Sequence, residues 1–314
     1  MTLDTINLNT RSGVNEEQLL NLASSLENCK ITTDKDTGLL SIKGSLNTLW
    51  LNASMAGCFV SGSIPKFIYG NNRELLKWQD LELFINALND QTPFAWDEAS
   101  VIRLDLAYKL QTNENPKTYF PFFDSFPKLK RTQHKNTLYF GSQSNQVSIA
   151  LYDKVKESTS RGFQLSSTTN YLRPEVRLNK RNYIQRFGVN ELQDLLKPEV
   201  QRSLTSFWFD TMTSIKTVNP YNMDLKQIRT PKQLDDAFIA LYADEYTKLM
   251  GATHLMGGLN AERALGRSKT KLIEVKQKYL ATPSNEIEEL NKLLINAYVS
   301  QLNNLDAHGA HMRA

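Results

Sequence analysis

Two short segments alternate strictly between apolar and polar side chains. In Val101–Lys109 (VIRLDLAYK), Ile102, Leu104, Leu106 and Tyr108 oppose Arg103, Asp105 and Ala107. In Tyr171–Asn179 (YLRPEVRLN), Leu172, Pro174, Val176 and Leu178 oppose Arg173, Glu175 and Arg177. A period of two puts alternate side chains on opposite faces of a sheet. Each segment therefore predicts a strand whose solvent-side row holds one carboxylate among basic residues. Between them, Thr137–Ser142 and Val147–Lys154 predict two further strands joined through Gly141–Gln146 as a hairpin. Val147, Ile149 and Leu151 form the apolar row of the second, so Ser148, Ala150, Tyr152 and Lys154 occupy the polar row. If the strands share one sheet, Asp105, Glu175 and Tyr152 converge.

Elsewhere the pattern is mixed. Asn15 caps an amphipathic helix predicted over Glu16–Glu27. Gly38–Asn52 alternates as strands, the Gly/Ser/Pro stretch Gly57–Pro65 is expected to break them, and Arg73–Leu88 has helical spacing. Arg181–Phe187 reads as a short helix closed by Gly188. Beyond about residue 195 strand signals give way to helices at Glu199–Met212, Lys232–Leu249 and Asn285–Leu305, with Thr230–Pro231 and Thr282–Pro283 as cap-plus-proline starts. Ala261–Leu265, a turn at Gly266 and Arg267–Tyr279 fit a helix-turn-helix presenting Arg267, Lys269, Lys271 and Lys276 to DNA, and fit a generic helical hairpin equally. The expected fold is α+β: an antiparallel β-sheet core with flanking helices over residues 1–195, then a mainly helical region over residues 196–314. Trp50, Trp78 and Trp208 sit in apolar patterns and are expected in the core.

Composition narrows the class. The 314 residues are 40% hydrophobic and 22% charged, as in globular proteins. Two cysteines, Cys29 and Cys58, are too few for a disulfide framework and suggest a reducing, cytoplasmic setting. No apolar run reaches transmembrane length, and the polar N-terminal segment does not resemble a signal peptide. The net charge of +4 is unevenly spread. Between Phe126 and Asn190 twelve lysines and arginines face only Asp153, Glu157 and Glu175, a balance that recruits polyanions. No phosphate loop or dinucleotide fingerprint occurs. His134, His254, His308 and His311 form neither a zinc spacing nor a pair flanking one apolar residue, which excludes the histidine-ligated class of DNA-nicking enzymes. Two acids and three arginines on polar rows suit a divalent cation beside a phosphate.

The order VIRLDLAYK, NTLYFGSQSNQVSIALYDKVKE and YLRPEVRLNKRNYIQRFG is similar to the gene II replication initiators of filamentous phages, with related patterns in staphylococcal-type plasmid initiators. GLLSIKGSLNTLWLN through IPKFIYGNN resembles the family's N-terminal region, so the likeness is clearest over residues 38–190. It implies a rolling-circle initiator in a bacterial host's cytoplasm. Such an enzyme nicks one strand of supercoiled double-stranded origin DNA through a 5′-phosphotyrosine and later recloses the displaced single strand, working with host helicase and polymerase. Carried over, the tyrosine falls at Tyr152 and the acidic positions at Asp105 and Glu175, which would hold Mg²⁺ or Mn²⁺. Lys154, two residues beyond Tyr152, is expected to lower its pKa or touch the scissile phosphate. Arg103, Arg173, Arg177, Lys180 and Arg181 are candidate phosphate contacts, and Tyr139 is a possible second nucleophile. Relatives carry a bulky aromatic where this chain has Pro174. A proline donates no ladder hydrogen bond, so an edge or bulge is expected there. The competing expectation is a non-catalytic regulator that occupies an origin or operator.

Overall fold

The computed structural model describes residues 2–71, 76–160, 169–217, 228–255, 262–279 and 285–311. The chain forms two compact units. One comprises Met1–Phe120, Ser125–Lys216 and Lys292–Ala314, the other Pro121–Asp124 and Thr217–Asn291. The architecture is α+β, with a large antiparallel sheet in the N-terminal part and helices dominating the C-terminal region.

The strands are β1 (Thr2–Thr10), β2 (Glu27–Thr33), β3 (Leu40–Leu46), β4 (Leu49–Ser54), β5 (Gly57–Ser63), β6 (Ser100–Ala107), β7 (Leu110–Thr112), the short β8 (Phe123–Ser125), β9 (Arg131–His134), β10 (Thr137–Phe140), β11 (Val147–Asp153) and β12 (Asn170–Leu178). All but β8 join one eleven-stranded sheet in the order β2-β3-β4-β5-β1-β6-β12-β11-β10-β9, with β7 also on β12. The strand pairs are antiparallel, so one face can be dry and the other wet. Ile6, Leu8, Ile42, Leu51, Val60, Leu104, Leu151 and Val176 are buried on the dry face.

Helices α1 (Glu16–Ser25), α2 (Ile64–Tyr69), α3 (Asp80–Gln91), α4 (Pro116–Tyr119), α5 (Lys154–Ser160), α6 (Arg181–Ile184) and α7 (Pro198–Thr213) complete this part. Asn15 and Gln18 close a capping box on α1. The helix expected from Arg73 begins at Asp80; residues 72–75 lie outside those described. Gly57–Ser63, expected to interrupt the strands, is itself β5. Its glycines serve close packing: a Cβ at Gly62 would lie 2.6 Å from Leu49 Cδ2.

Pro174 is not on an edge. β11 pairs with all of β12 from Leu172 to Leu178 on one side, while β6 and β7 share the other. Both keep one register, and the gap between them falls opposite Pro174. Tyr108 N–H donates to Pro174 O at 3.1 Å, but the reciprocal donor is missing, so the ladder breaks there instead of ending the sheet.

The helical region holds α8 (Pro231–Leu241), α9 (Ala243–Leu255), α10 (Glu262–Tyr279) and α11 (Asn285–His311). The single helix expected over Lys232–Leu249 is two, divided at Tyr242. Thr230 and Gln233 form the capping box that starts α8. The turn expected at Gly266 is absent: α10 runs through it, because Leu272, Val275 and Tyr279 continue one helical apolar stripe into a core with Ala237, Ala240 and Met250. No helix among the described residues is long and apolar enough to cross a membrane.

Candidate active site

β6, β11 and β12 bring the predicted residues onto the wet face in register. Tyr152 pairs with Arg173, Ala150 with Glu175, and Arg177 with Asp105. The row was expected to face solvent. Instead Asp105, Arg173 and Glu175 are buried, at 1%, 0% and 4% exposure. They sit in and behind a cavity of about 530 Å³ lined by Asp4, Lys66, Arg103, Asp105, Tyr139, Tyr152, Glu157, Glu175 and Arg177 among others.

Asp4 had no part in the sequence expectation, and a β-bulge explains why. Leu3 pairs with Leu106 and Ile6 with Leu104, so Asp4 and Thr5 together oppose Asp105. The extra residue turns both side chains toward the cavity, which they line. A second irregularity, between the pairs Asn7–Arg103 and Leu8–Val101, leaves Ile102 unpaired. It is half-exposed while Val101 and Leu104 are buried, against its place in the predicted apolar row.

The charged groups interlock. Arg103 holds Asp105 with two bonds, Nε to Oδ1 at 2.8 Å and Nη2 to Oδ2 at 2.7 Å. Arg177 Nε donates to Glu175 Oε1 at 2.5 Å and lies 4.0 Å from Asp105 Oδ2. The Tyr152 hydroxyl donates to Glu175 Oε2 at 3.1 Å. Behind them Arg173 Nη2 lies 2.9 Å from Asp4 Oδ2, while Arg173 Nε and Nη1 find no hydrogen-bond partner among the described residues. Four carboxylates (Asp4, Asp105, Glu157, Glu175) thus meet four cations (Arg103, Lys154, Arg173, Arg177).

Burial sets the protonation tendencies. Desolvation, then the nearby Glu175 charge, pushes the Asp105 carboxyl up to about 7 despite Arg103. Tyr152 is driven well above the ordinary phenol range, first by burial and then by Glu175, with Arg173 opposing. For Asp4 burial acts upward, but Arg173 and Lys154 outweigh it and hold the group low.

Lys154 departs from expectation. β11 ends at Asp153, whose Oδ1 accepts the N–H groups of Val155 and Lys156 and so starts α5. Lys154 therefore leaves the strand alternation. It is fully buried, its Nζ 2.6 Å from Glu157 Oε2, and it does not line the cavity. Burial and then Arg173 lower its own pKa.

Tyr139 lines the cavity, across from Ala150. Lys180 and Arg181 are exposed at the start of α6 and do not line it. Lys269 and Lys271 are exposed on α10, in the other unit, and Lys271 pairs with Asp236 at 2.8 Å. The Arg267 side chain lies outside the described residues. Sequence reasoning also missed Lys66 on α2, which is carried to the cavity because β5 pairs with β1 and runs directly into α2.

This cluster on a wet antiparallel sheet face falls in the class of replication-associated proteins: the family model for the N-terminal part of the phage replication-associated gene II protein matches residues 20–199. With more than half of its length matched, the chain belongs to this phage family of rolling-circle replication initiators. The match takes in every cavity-lining residue except Asp4 and Thr5. A solved rolling-circle replication initiator from Geobacillus stearothermophilus is similar at 14% identity and a TM-score of 0.37, over 65% of this chain and 82% of that one. No curated protein matches the sequence.

Proposed function

We propose that the protein is a site-specific, metal-dependent DNA endonuclease and strand transferase that nicks one strand of its origin through Tyr152. The observation that carries this reading is the Tyr152 hydroxyl donating to Glu175 Oε2 in a cavity flanked by arginines. A nucleophile hydrogen-bonded to a base is the arrangement covalent catalysis needs.

Tyr152 Oη forms the bond to phosphorus and the phenolic proton passes to Glu175. The bond from phosphorus to the 3′ oxygen breaks, and that oxygen leaves as a 3′-hydroxyl after protonation. The products are a 5′-phosphotyrosine and a primer end for host polymerase. Reversal by a 3′-hydroxyl recloses the strand, and Tyr139 stands on the same cavity wall for a second transfer. Among the described residues Arg177 commits only Nε, leaving its terminal nitrogens for the non-bridging oxygens, and Lys66 makes no ion pair.

Two carboxylates with waters are donors that a hard divalent ion accepts, although the described residues hold no group of three metal-ligating side chains. Desolvation and the neighbouring Glu175 charge raise the proton affinity of Asp105, and a carboxylate keeps acceptor positions beyond those its arginine uses. These two residues would hold Mg²⁺ or Mn²⁺, which supplies neutralisation of phosphate charge when bound. Arg173, fully buried against Asp4, acts as a positioning residue behind Tyr152. Origin duplex, the displaced strand and a host helicase are the partners this reading requires.

The test is incubation with Mg²⁺ and a supercoiled plasmid bearing the protein's own origin. Open circles with protein on the 5′ end, mapped to Tyr152, are expected. Tight origin binding without cleavage in Mg²⁺ or Mn²⁺ would establish the non-catalytic regulator instead.

A further inference from the structure

The wet face continues past the cavity onto β1, β5 and β4. From Arg103 the row runs through Asn7, Ser61 and Trp50 to Ser45. The next runs from Ser100 through Asn9, Phe59 and Asn52 to Lys43 and Lys30. None of these eleven positions is buried, and Trp50, Lys43 and Lys30 are exposed. Trp50 is 45% exposed, against its expected place in the core, and meets Phe59 edge-on at 5.8 Å between centroids. Their strands already have a complete dry face, so these rings are not needed to fill the core. Thr48, two residues before Trp50, lines the cavity. The platform is therefore continuous with the reaction site.

The chemistry of the face selects its occupant. Lys43 and Lys30 supply positive charge, with Arg103 already paired to Asp105 at the cavity edge, the asparagines and serines supply donors and acceptors, and Glu27, paired with Ser45, lies at the outer end. Two aromatic rings flanked by amides and cations on an open sheet are a stacking platform for unpaired bases. We infer that single-stranded DNA flanking the scissile phosphate crosses β6, β1 and β5 onto β4, where an unpaired base stacks on Trp50 beside Phe59. This rests on the nicking reading, since the strand must enter from the cavity. It makes Trp50 a residue that holds melted DNA, separate from the groups that cut it.

Trp50 can report on its own contact, because Trp78, Trp96 and Trp208 are 8%, 0% and 1% exposed. The full-length protein is titrated with a single-stranded oligothymidylate and, separately, with an abasic oligomer of equal length. Oligothymidylate is expected to quench the solvent-exposed emission, and the abasic strand to leave it unchanged. Trp50→Leu, which keeps an apolar side chain on the strand, should weaken oligothymidylate binding roughly tenfold and leave abasic binding unaltered. Trp50→Phe should retain most of the affinity. Unchanged emission, or equal affinity of Trp50→Leu and wild type for oligothymidylate, would overturn the inference. The wild-type quench decides the matter even if a variant fails to fold. Plasmid nicking run in parallel separates the two readings: a covalent adduct without quenching removes the platform alone, and quenching without an adduct removes the nuclease alone.

Discussion

Tyr152 and Glu175 stand on neighbouring strands one diagonal step apart, and the phenol donates to the carboxylate at 3.1 Å while Arg177 holds the other oxygen at 2.5 Å. In the proposed nicking reaction Glu175 would be a base oriented by a third group, and the phenol, disfavoured as an anion by burial and by Glu175, would depend on passing its proton across that bond. Tyr152→Phe should abolish nicking while leaving origin affinity near wild type, since only a hydroxyl is lost. Glu175→Gln keeps an acceptor and removes the base, so the single-turnover rate should fall roughly 10²–10⁴-fold. A Gln variant with near-normal cleavage would show that the proton goes elsewhere.

Asp4 and Arg173 should behave as a unit. Both are buried, and their ion pair of 2.9 Å lies directly behind Tyr152. Removing Asp4 strands a guanidinium whose Nε and Nη1 already lack hydrogen-bond partners among the described residues. Asp4→Ala should cost about 3–5 kcal/mol in urea unfolding. The double variant Asp4→Leu/Arg173→Met should recover most of that stability, because burying neither charge avoids the desolvation cost. Equal losses in single and double variants would show that shape matters there, and not charge.

These two pairs show what the linear pattern could and could not disclose. Arg103, Asp105, Glu175, Arg177 and Tyr152 were legible because they obey strict alternation, and antiparallel pairing then fixes their meeting. Asp4 was not, because a one-residue bulge opposite Asp105 breaks the period at that point. Lys154 was misplaced by extending the alternation past Asp153, whose carboxylate caps a helix. Pro174 pointed to an edge by local rule, yet the sheet spans it by interrupting one neighbour. Trp50 looked like core because apolar spacing does not reveal which face stays open.

The raised pKa of Asp105 gives stability a pH signature. With its folded pKa near 7 and its unfolded pKa near the ordinary carboxyl value of 3.8, the native state binds the proton more tightly. This group's contribution therefore declines as pH rises between those values. Denaturation midpoints measured from pH 5 to 8, a range set by that pKa, should fall more steeply for wild type than for Asp105→Asn. If Mg²⁺ binds at Asp105 as proposed, it needs the ionised carboxylate, so its stabilising effect should be larger above pH 7. Identical slopes for the two proteins would place the coupled proton on another group.

The lysines of α10 separate two kinds of surface charge if the helical unit binds origin duplex. Lys269 is exposed and shows no ion pair among the described residues, whereas Lys271 is held 2.8 Å from Asp236. A paired ammonium has less charge to offer a phosphate and must give up its partner to do so. Lys269→Ala should therefore reduce the slope of log affinity against log salt by about 1, and Lys271→Ala by less. Asp236→Asn should strengthen duplex binding, because it frees Lys271 without adding a contact. Anisotropy titrations of an origin duplex between about 50 and 200 mM salt read all three. If none of them moves the slope, α10 does not touch the backbone, and the basic strip between Phe126 and Asn190 must carry the duplex by itself.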